Sequence, residues 1–178
     1  LSATSDIESA VFKSNISIIC VGTPSNSDGS INTSYIENVC KQIAKYVKLK
    51  DTYHLFVIRS TIPPGTINGK LIYIIEKYSK KKCGNDFDVV MNPEFLREGS
   101  AIDDFFNPER IILGCNNDHS FIEVKKIYES FSGKKVVSPF FQTTIELAEF
   151  SKYVDNSFHA LKVSFANEIG SLSNSFGI

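Results

Sequence analysis

Five short apolar runs, separated by stretches of helical spacing, limit this chain to one fold class. Ser17–Val21, Leu55–Ile58, Phe87–Met91, Arg110–Leu113 and Lys135–Val137 read as strands. Between the first two, Ile36, Val39, Cys40, Ile43, Ala44 and Val47 recur at helical intervals, with N-cap candidates at Asn32-Thr33-Ser34. Pro63-Pro64-Gly65-Thr66 turns the chain into a second helix over Ile67–Tyr78. His119–Phe131 is a third, and from Thr144 the pattern stays helical to about the last residue. Strands alternating with helices give an α/β fold with a mainly parallel sheet.

In such sheets ligands bind outside the carboxyl ends of the strands. Three successive strands here end in Gly22-Thr23-Pro24, Ser60-Thr61 and Asn92-Pro93-Glu94. Hydroxyls and free backbone N–H groups suit phosphate and ribose oxygens. The same residues also serve as plain turn formers. The third turn continues as Glu94-Phe95-Leu96-Arg97-Glu98-Gly99, which places two carboxylates and a guanidinium beside a strand end.

The last helical stretch has two unlike faces. Leu147, Phe150, Val154, Phe158, Leu161, Phe165 and Leu172 fall within an arc of ~80° at about 100° per residue. Opposite them, also within ~80°, lie Lys152, Asn156, His159 and Asn167, with Glu149 and Val163 among them. A polar face is usually a solvated one. This one holds a cation, two amides and an imidazole, a set that also suits a sugar or an anionic oxygen.

A formal net charge of -1 and the absence of a basic run argue against nucleic acid as a partner. The longest uninterrupted apolar run, Leu71–Ile75, is far too short to span a membrane, and LSATSDIESAV has no signal-peptide character. A cytoplasmic protein is expected. Cys20, Cys40, Cys83 and Cys115 lack metal-ligand spacing, so no metal site is expected. Cys20 and Cys115 end apolar runs and should be buried. Cys83 follows three lysines, which would lower its pKa. His54 and His119 begin a strand and a helix and should be exposed.

Four motifs, in order and across most of the chain, carry a resemblance. They are GTPS-x₂-DGS, RSTIPPGT, NPEFLREGSAIDDFFNPERIILG and KYVDNSFHALKVSFANE. Together they resemble the UDP-glucose/GDP-mannose dehydrogenase family, and HALKVSFANE is most like its GDP-mannose branch. The resemblance implies a Rossmann-like domain. It also implies oxidation of the C6 alcohol of a nucleotide sugar to a carboxylate, with two NAD⁺ reduced. A cysteine thiol adds to the intermediate aldehyde, a second hydride leaves, and water hydrolyses the thioester. GDP-mannose is the substrate implied first, and UDP-glucose or a UDP-N-acetylhexosamine is the alternative. A non-catalytic dimerisation or binding module of the same fold is the reading from a different class.

Residue roles follow from the resemblance alone. Thr23, Ser60 and Thr61 would line the NAD site, with Thr61 also near the reacting water. Glu94 would be the acid/base or would position that water, and Glu98 would approach the nicotinamide end. Phe95, Leu96 and Arg97 would hold the sugar nucleotide. Lys152 would stabilise the oxyanion at C6, Asn156 would bond the same oxygen, and His159 and Asn167 would contact the substrate. The long helix would pack two subunits into a homodimer.

The family's G-x-G-x-x-G and its glycine-rich cysteine motif do not occur in this sequence. They are expected before Leu1 and beyond residue 178. Residues 1–142 then read as the later part of the NAD-binding domain, with its first βαβ unit missing. Residues 143–178 read as the start of the central helical, dimerising domain. On this reading the fragment alone is inactive.

Overall fold

A computed structural model describes residues 2–132 and 139–178. The elements run α1 (Ile7–Phe12), β1 (Ile16–Ile19), α2 (Ser34–Val47), β2 (His54–Ile58), a π-helical turn (Ile67–Leu71) leading into α3 (Ile72–Ser79), β3 (Phe87–Met91), α4 (Ala101–Phe106), β4 (Ile111–Gly114), α5 (Asp118–Ser132), β5 (Phe140–Thr143) and α6 (Ile145–Ser175). The expected strand at Lys135–Val137 lies outside the described residues. The strand seen after α5 is β5.

The five strands lie in the order β1-β2-β3-β4-β5. All neighbours are parallel except β3 and β4, which meet antiparallel through Met91 and Gly114. The sheet is Rossmann-like, with helices on both faces. Every residue of β2 and β3 is buried, His54 and Asp88 included, as expected of strands in a covered parallel sheet. Their side chains alternate. Phe56, Ile58, Phe87, Val89 and Met91 join one core cluster, which also takes in residues of α2, α3 and the start of α6. Leu55, Val57 and Val90 join the other, with Val124 of α5.

Two expectations are overturned here. Cys20 is exposed, because β1 ends at Ile19 and the thiol lies just past it. His54 is fully buried within β2, where Nε2–H donates to Ser17 Oγ at 2.9 Å. Lys50 Nζ, 3.4 Å away, takes Nδ1 as an acceptor, so the ring is the neutral tautomer with its proton on Nε2. Burial, then the charges of Lys50 and Lys81, pull its pKa down to about 4.

Helix α6 is 31 residues long, or roughly 46 Å, and only its first turns rest on the sheet. Thr144 caps it by accepting from Leu147 N. Its buried residues are Ile145, Ala148, Glu149 and Lys152. Gly114 makes the contact possible. A Cβ there would lie 2.6 Å from Ala148 Cβ and 2.8 Å from Ile145 Cα. Glu149 locks the joint from the other side. Its carboxylate accepts from Gly65 N at 2.5 Å and Ile67 N at 2.9 Å, satisfying the open N–H groups at the start of the π turn. Burial pushes the Glu149 pKa up.

Candidate active site

The carboxyl ends of β1 and β2 are tied together. Thr23 Oγ1 donates to the Thr61 carbonyl at 2.7 Å, and Ser60 Oγ donates to the Val21 carbonyl at 2.6 Å. Both hydroxyl protons are therefore engaged, and the oxygens keep lone pairs for accepting. Thr23 and Thr61 stay partly exposed at this edge, and Ser60 is buried. A cofactor bearing hydroxyl groups fits such an acceptor rim.

A separate cleft of about 930 Å³, lined by none of Thr23, Ser60 and Thr61, opens beyond Arg59 and Asn92. Phe95, Leu96, Arg97 and Glu98 line one wall, and Lys152, Asn156 and His159 line the facing one. The polar arc of α6 is thus the arc turned toward the sheet. The apolar stripe is 49 to 66% exposed, and one of its residues, Phe158, also borders the cleft, while Asn156 and His159 on the opposite arc are exposed as well. The polar arc turns inward at the start of the helix because Ile145, Ala148, Glu149 and Lys152 seat it on β4 and the π turn.

Not every expected residue lines the cleft. Glu94 is half-buried and accepts from Leu96 N, so its carboxylate shapes the turn. Arg97 is bound to Asp104 three times: by N at 2.8 Å, Nε at 3.1 Å and Nη2 at 2.6 Å. These bonds hold the Asp104 carboxyl well below its ordinary pKa. Asn167 lies eight residues past His159, about 12 Å along the helix, and is exposed. Cys83 behaves opposite to expectation. Its thiol is pushed up to about 12 by burial and then by Asp88, to whose Oδ1 it points at 3.5 Å. Cys40 and Cys115 are buried, and their thiols are raised by burial to about 12 and about 11.

The structure also adds residues that sequence reasoning had not singled out. Asn92 is buried, and its amide donates to the Ile112 carbonyl at 3.1 Å. Its Oδ1 accepts from Arg59 Nη1 at 2.8 Å and Tyr128 OH at 2.6 Å. Three segments, the end of β2, β4 and α5, therefore converge on the first residue of the Asn92–Arg97 turn and fix where the turn begins. Arg110 donates to Asp155 Oδ1 at 2.7 Å and stacks on Phe95, its Cζ 4.5 Å from the ring centroid. Lys152 Nζ sits 5.2 Å from the same centroid. An Asn at a strand end and an Arg opening the next strand were the available signals. Without the fold, both also read as turn chemistry.

Chemically, the cleft offers a cation, an amide and an imidazole in one row against the Phe95–Glu98 wall. That row can bind hydroxyls and stabilise negative charge on oxygen.

Comparison with known proteins agrees with this layout. Residues 1–132 match the NAD binding domain of the UDP-glucose/GDP-mannose dehydrogenase family, and residues 146–178 match its central domain. GDP-mannose 6-dehydrogenase of Pseudomonas aeruginosa is 42% identical over all 178 residues, which correspond to 40% of its length. The crystal structure of a ternary complex of GDP-mannose dehydrogenase from that organism superposes with a TM-score of 0.92, covering 98% of this chain and 39% of that one at 42% identity. A UDP-glucose dehydrogenase from Pyrobaculum islandicum gives 0.86 at 37% identity, covering 96% of this chain and 38% of that one. The chain thus spans about 40% of the length of the curated relatives it matches.

Proposed function

The chain belongs to the UDP-glucose/GDP-mannose dehydrogenase family, and from that premise we propose that it forms part of a longer NAD-dependent nucleotide-sugar 6-dehydrogenase. The enzyme oxidises the C6 alcohol of GDP-mannose to the carboxylate in two hydride transfers. The observation that carries this is the cleft itself, where the Asn92–Arg97 turn faces Lys152, Asn156 and His159. A scaffold without chemistry has no need of a cation set there. GDP-mannose is preferred to UDP-glucose because the relatives named for it are the more similar.

NAD supplies the hydride acceptor. Thr23, Ser60 and Thr61 hold it at the carboxyl edge of β1 and β2, with Glu98 toward its nicotinamide end. Phe95 and Leu96 seat the sugar nucleotide. Arg97 contributes through Nη1, the part of its guanidinium that Asp104 leaves open. Lys152 and Asn156 bond the C6 oxygen as charge develops on it. Glu94 holds the turn in shape and orients the hydrolytic water. His159 contacts the sugar nucleotide, and Asn167 meets its far end.

Residues 1–142 form the later part of the NAD-binding domain, and 143–178 begin the central one. The exposed stripe on α6 packs against a second copy to make a homodimer, and the enzyme works in the cytoplasm. Among the described residues, no helix is long and apolar enough to cross a membrane.

The reading is tested in the complete enzyme with Lys152→Ala. Turnover of GDP-mannose should fall while NAD⁺ affinity stays within a few-fold. Unchanged turnover removes the oxyanion role. Sedimentation of the chain as a strict monomer at high concentration removes the dimer.

A further inference from the structure

Lys152 and Asp155 are three residues apart on α6 and so are neighbours on its surface. A lysine and an aspartate so placed are within pairing distance of one another. Here they do not pair. Asp155 accepts from Arg110 instead, at 2.7 Å. Among the described residues, no carboxylate lies within ion-pair reach of Lys152, which is only 8% exposed. Its charge rests against the face of Phe95. A ring face attracts a cation without neutralising it.

We propose that Arg110 is a positioning residue: by occupying Asp155 it keeps that carboxylate off Lys152 and leaves the ammonium unpaired for the substrate oxygen. This rests on the C6-oxidation reading above. The contacts form a closed circuit. Lys152 lies on Phe95, Phe95 is stacked under Arg110, Arg110 is bonded to Asp155, and one turn of α6 leads back to Lys152. The job suits arginine. A planar guanidinium can stack on a ring and donate to a carboxylate at the same time, which a lysine ammonium does less well. Glu109, the other carboxylate near Arg110, is 3.9 Å away and mostly exposed, so Asp155 is the main partner.

The test uses Arg110→Met, Arg110→Lys, Asp155→Asn and the double variant Arg110→Met/Asp155→Asn in the complete enzyme. Each is measured for kcat and KM toward the nucleotide sugar and for Tm. Arg110→Met should lower kcat by about ten- to a hundredfold, the scale of a misplaced catalytic group, with little change in KM. Arg110→Lys keeps Asp155 occupied and should retain more kcat than Arg110→Met. Asp155→Asn alone should cost less than Arg110→Met.

The double variant decides. With no carboxylate left to capture Lys152, kcat should recover most of what Arg110→Met lost, although its Tm rises no higher. A residue that merely supports the fold gives no such recovery. A double variant as slow as Arg110→Met, or an Arg110→Met enzyme with parental kcat, overturns the proposal. Lys152→Met separates the two levels. Parental turnover in that variant sinks the oxidation reading itself. A slow Lys152→Met enzyme without recovery in the double variant sinks only the role of Arg110.

Discussion

Two buried charges at opposite ends of one sheet, Asp88 and Lys152, are treated in opposite ways. At the amino end, Asp88 is fully engaged. Asp88 accepts from Tyr53 OH at 2.6 Å, Ser120 Oγ at 2.9 Å and Asn117 Nδ2 at 2.5 Å. Lys50 Nζ donates to the Val11 carbonyl at 3.0 Å and to the Ser14 carbonyl, which ties the end of α1 to the sheet. At the carboxyl end, Lys152 is held with its charge uncommitted beside an open cleft. A closed network contributes rigidity. An open one keeps bonding capacity for a ligand. Substitutions at the first end should therefore read out as stability, and those at the second as turnover.

The sharpest way to break this contrast is Asp88→Ala. It leaves Asn117 Nδ2 without its acceptor and Tyr53 OH and Ser120 Oγ with only each other, at 3.4 Å, so the chain should lose about 3–5 kcal/mol, as when one side of a buried charged network is removed. Urea unfolding checks it. A loss below 1 kcal/mol would mean that the amino-end network is not closed. Next in size is Lys152→Met. Loss of one oxyanion donor costs about 10²- to 10³-fold in turnover, while a Met of similar length in a nearly buried site should leave Tm unchanged or raised. A variant that unfolds would place Lys152 with the stabilising end.

His54 gives the third test. Its folded pKa of about 4 lies below the ordinary 6.5. The unfolded chain therefore binds the proton more readily, and stability must fall as pH drops from 6.5 toward 4. The contribution is on the order of 2–3 kcal/mol, fully present above pH 6.5. Urea midpoints at pH 7.5 and pH 5 should differ in the parent and draw together in His54→Gln. The same slope in both would assign the pH dependence to other groups.

Much of this was legible in the sequence, and what was not has definable causes. Strand and helix identities followed from periodicity, so β2, β3 and α5 lie within a residue or so of expectation. The residues of NPEFLREG and of the Lys152–His159 row that line one cleft were also legible as polar groups, although Glu94 and Asn167 do not line it. The misses concern which side faces inward. By sequence His54 reads as a strand-end residue in solvent, but the Lys50 ammonium and Ser17 hydroxyl that satisfy it lie outside β2. Cys83 was read from the lysines beside it in sequence, whereas Asp88 and burial act on it in space. The Arg110–Asp155 pair joins residues 45 apart, a distance that no local pattern reports.

The smallest expected effect lies at the joint between the sheet and the site. Gly114 has no steric freedom to become alanine. The added Cβ would meet Ala148 Cβ at 2.6 Å, and the Ile145 Cα and the Thr144 carbonyl oxygen at 2.8 Å. Two of these are backbone atoms and cannot rotate away, so α6 must lift from β4. Overpacking of this kind costs about 1–3 kcal/mol, less than the loss at Asp88. Because Lys152 rides on the same helix one turn past Ala148, the lift also moves the ammonium relative to Phe95. Gly114→Ala should therefore lower Tm modestly and lower kcat as well, with KM for NAD⁺ nearly unchanged because β1 and β2 are untouched. If Tm falls while kcat holds, the seat of α6 on β4 belongs to the stabilising end alone, and Lys152 is placed by the Arg110–Phe95 stack instead.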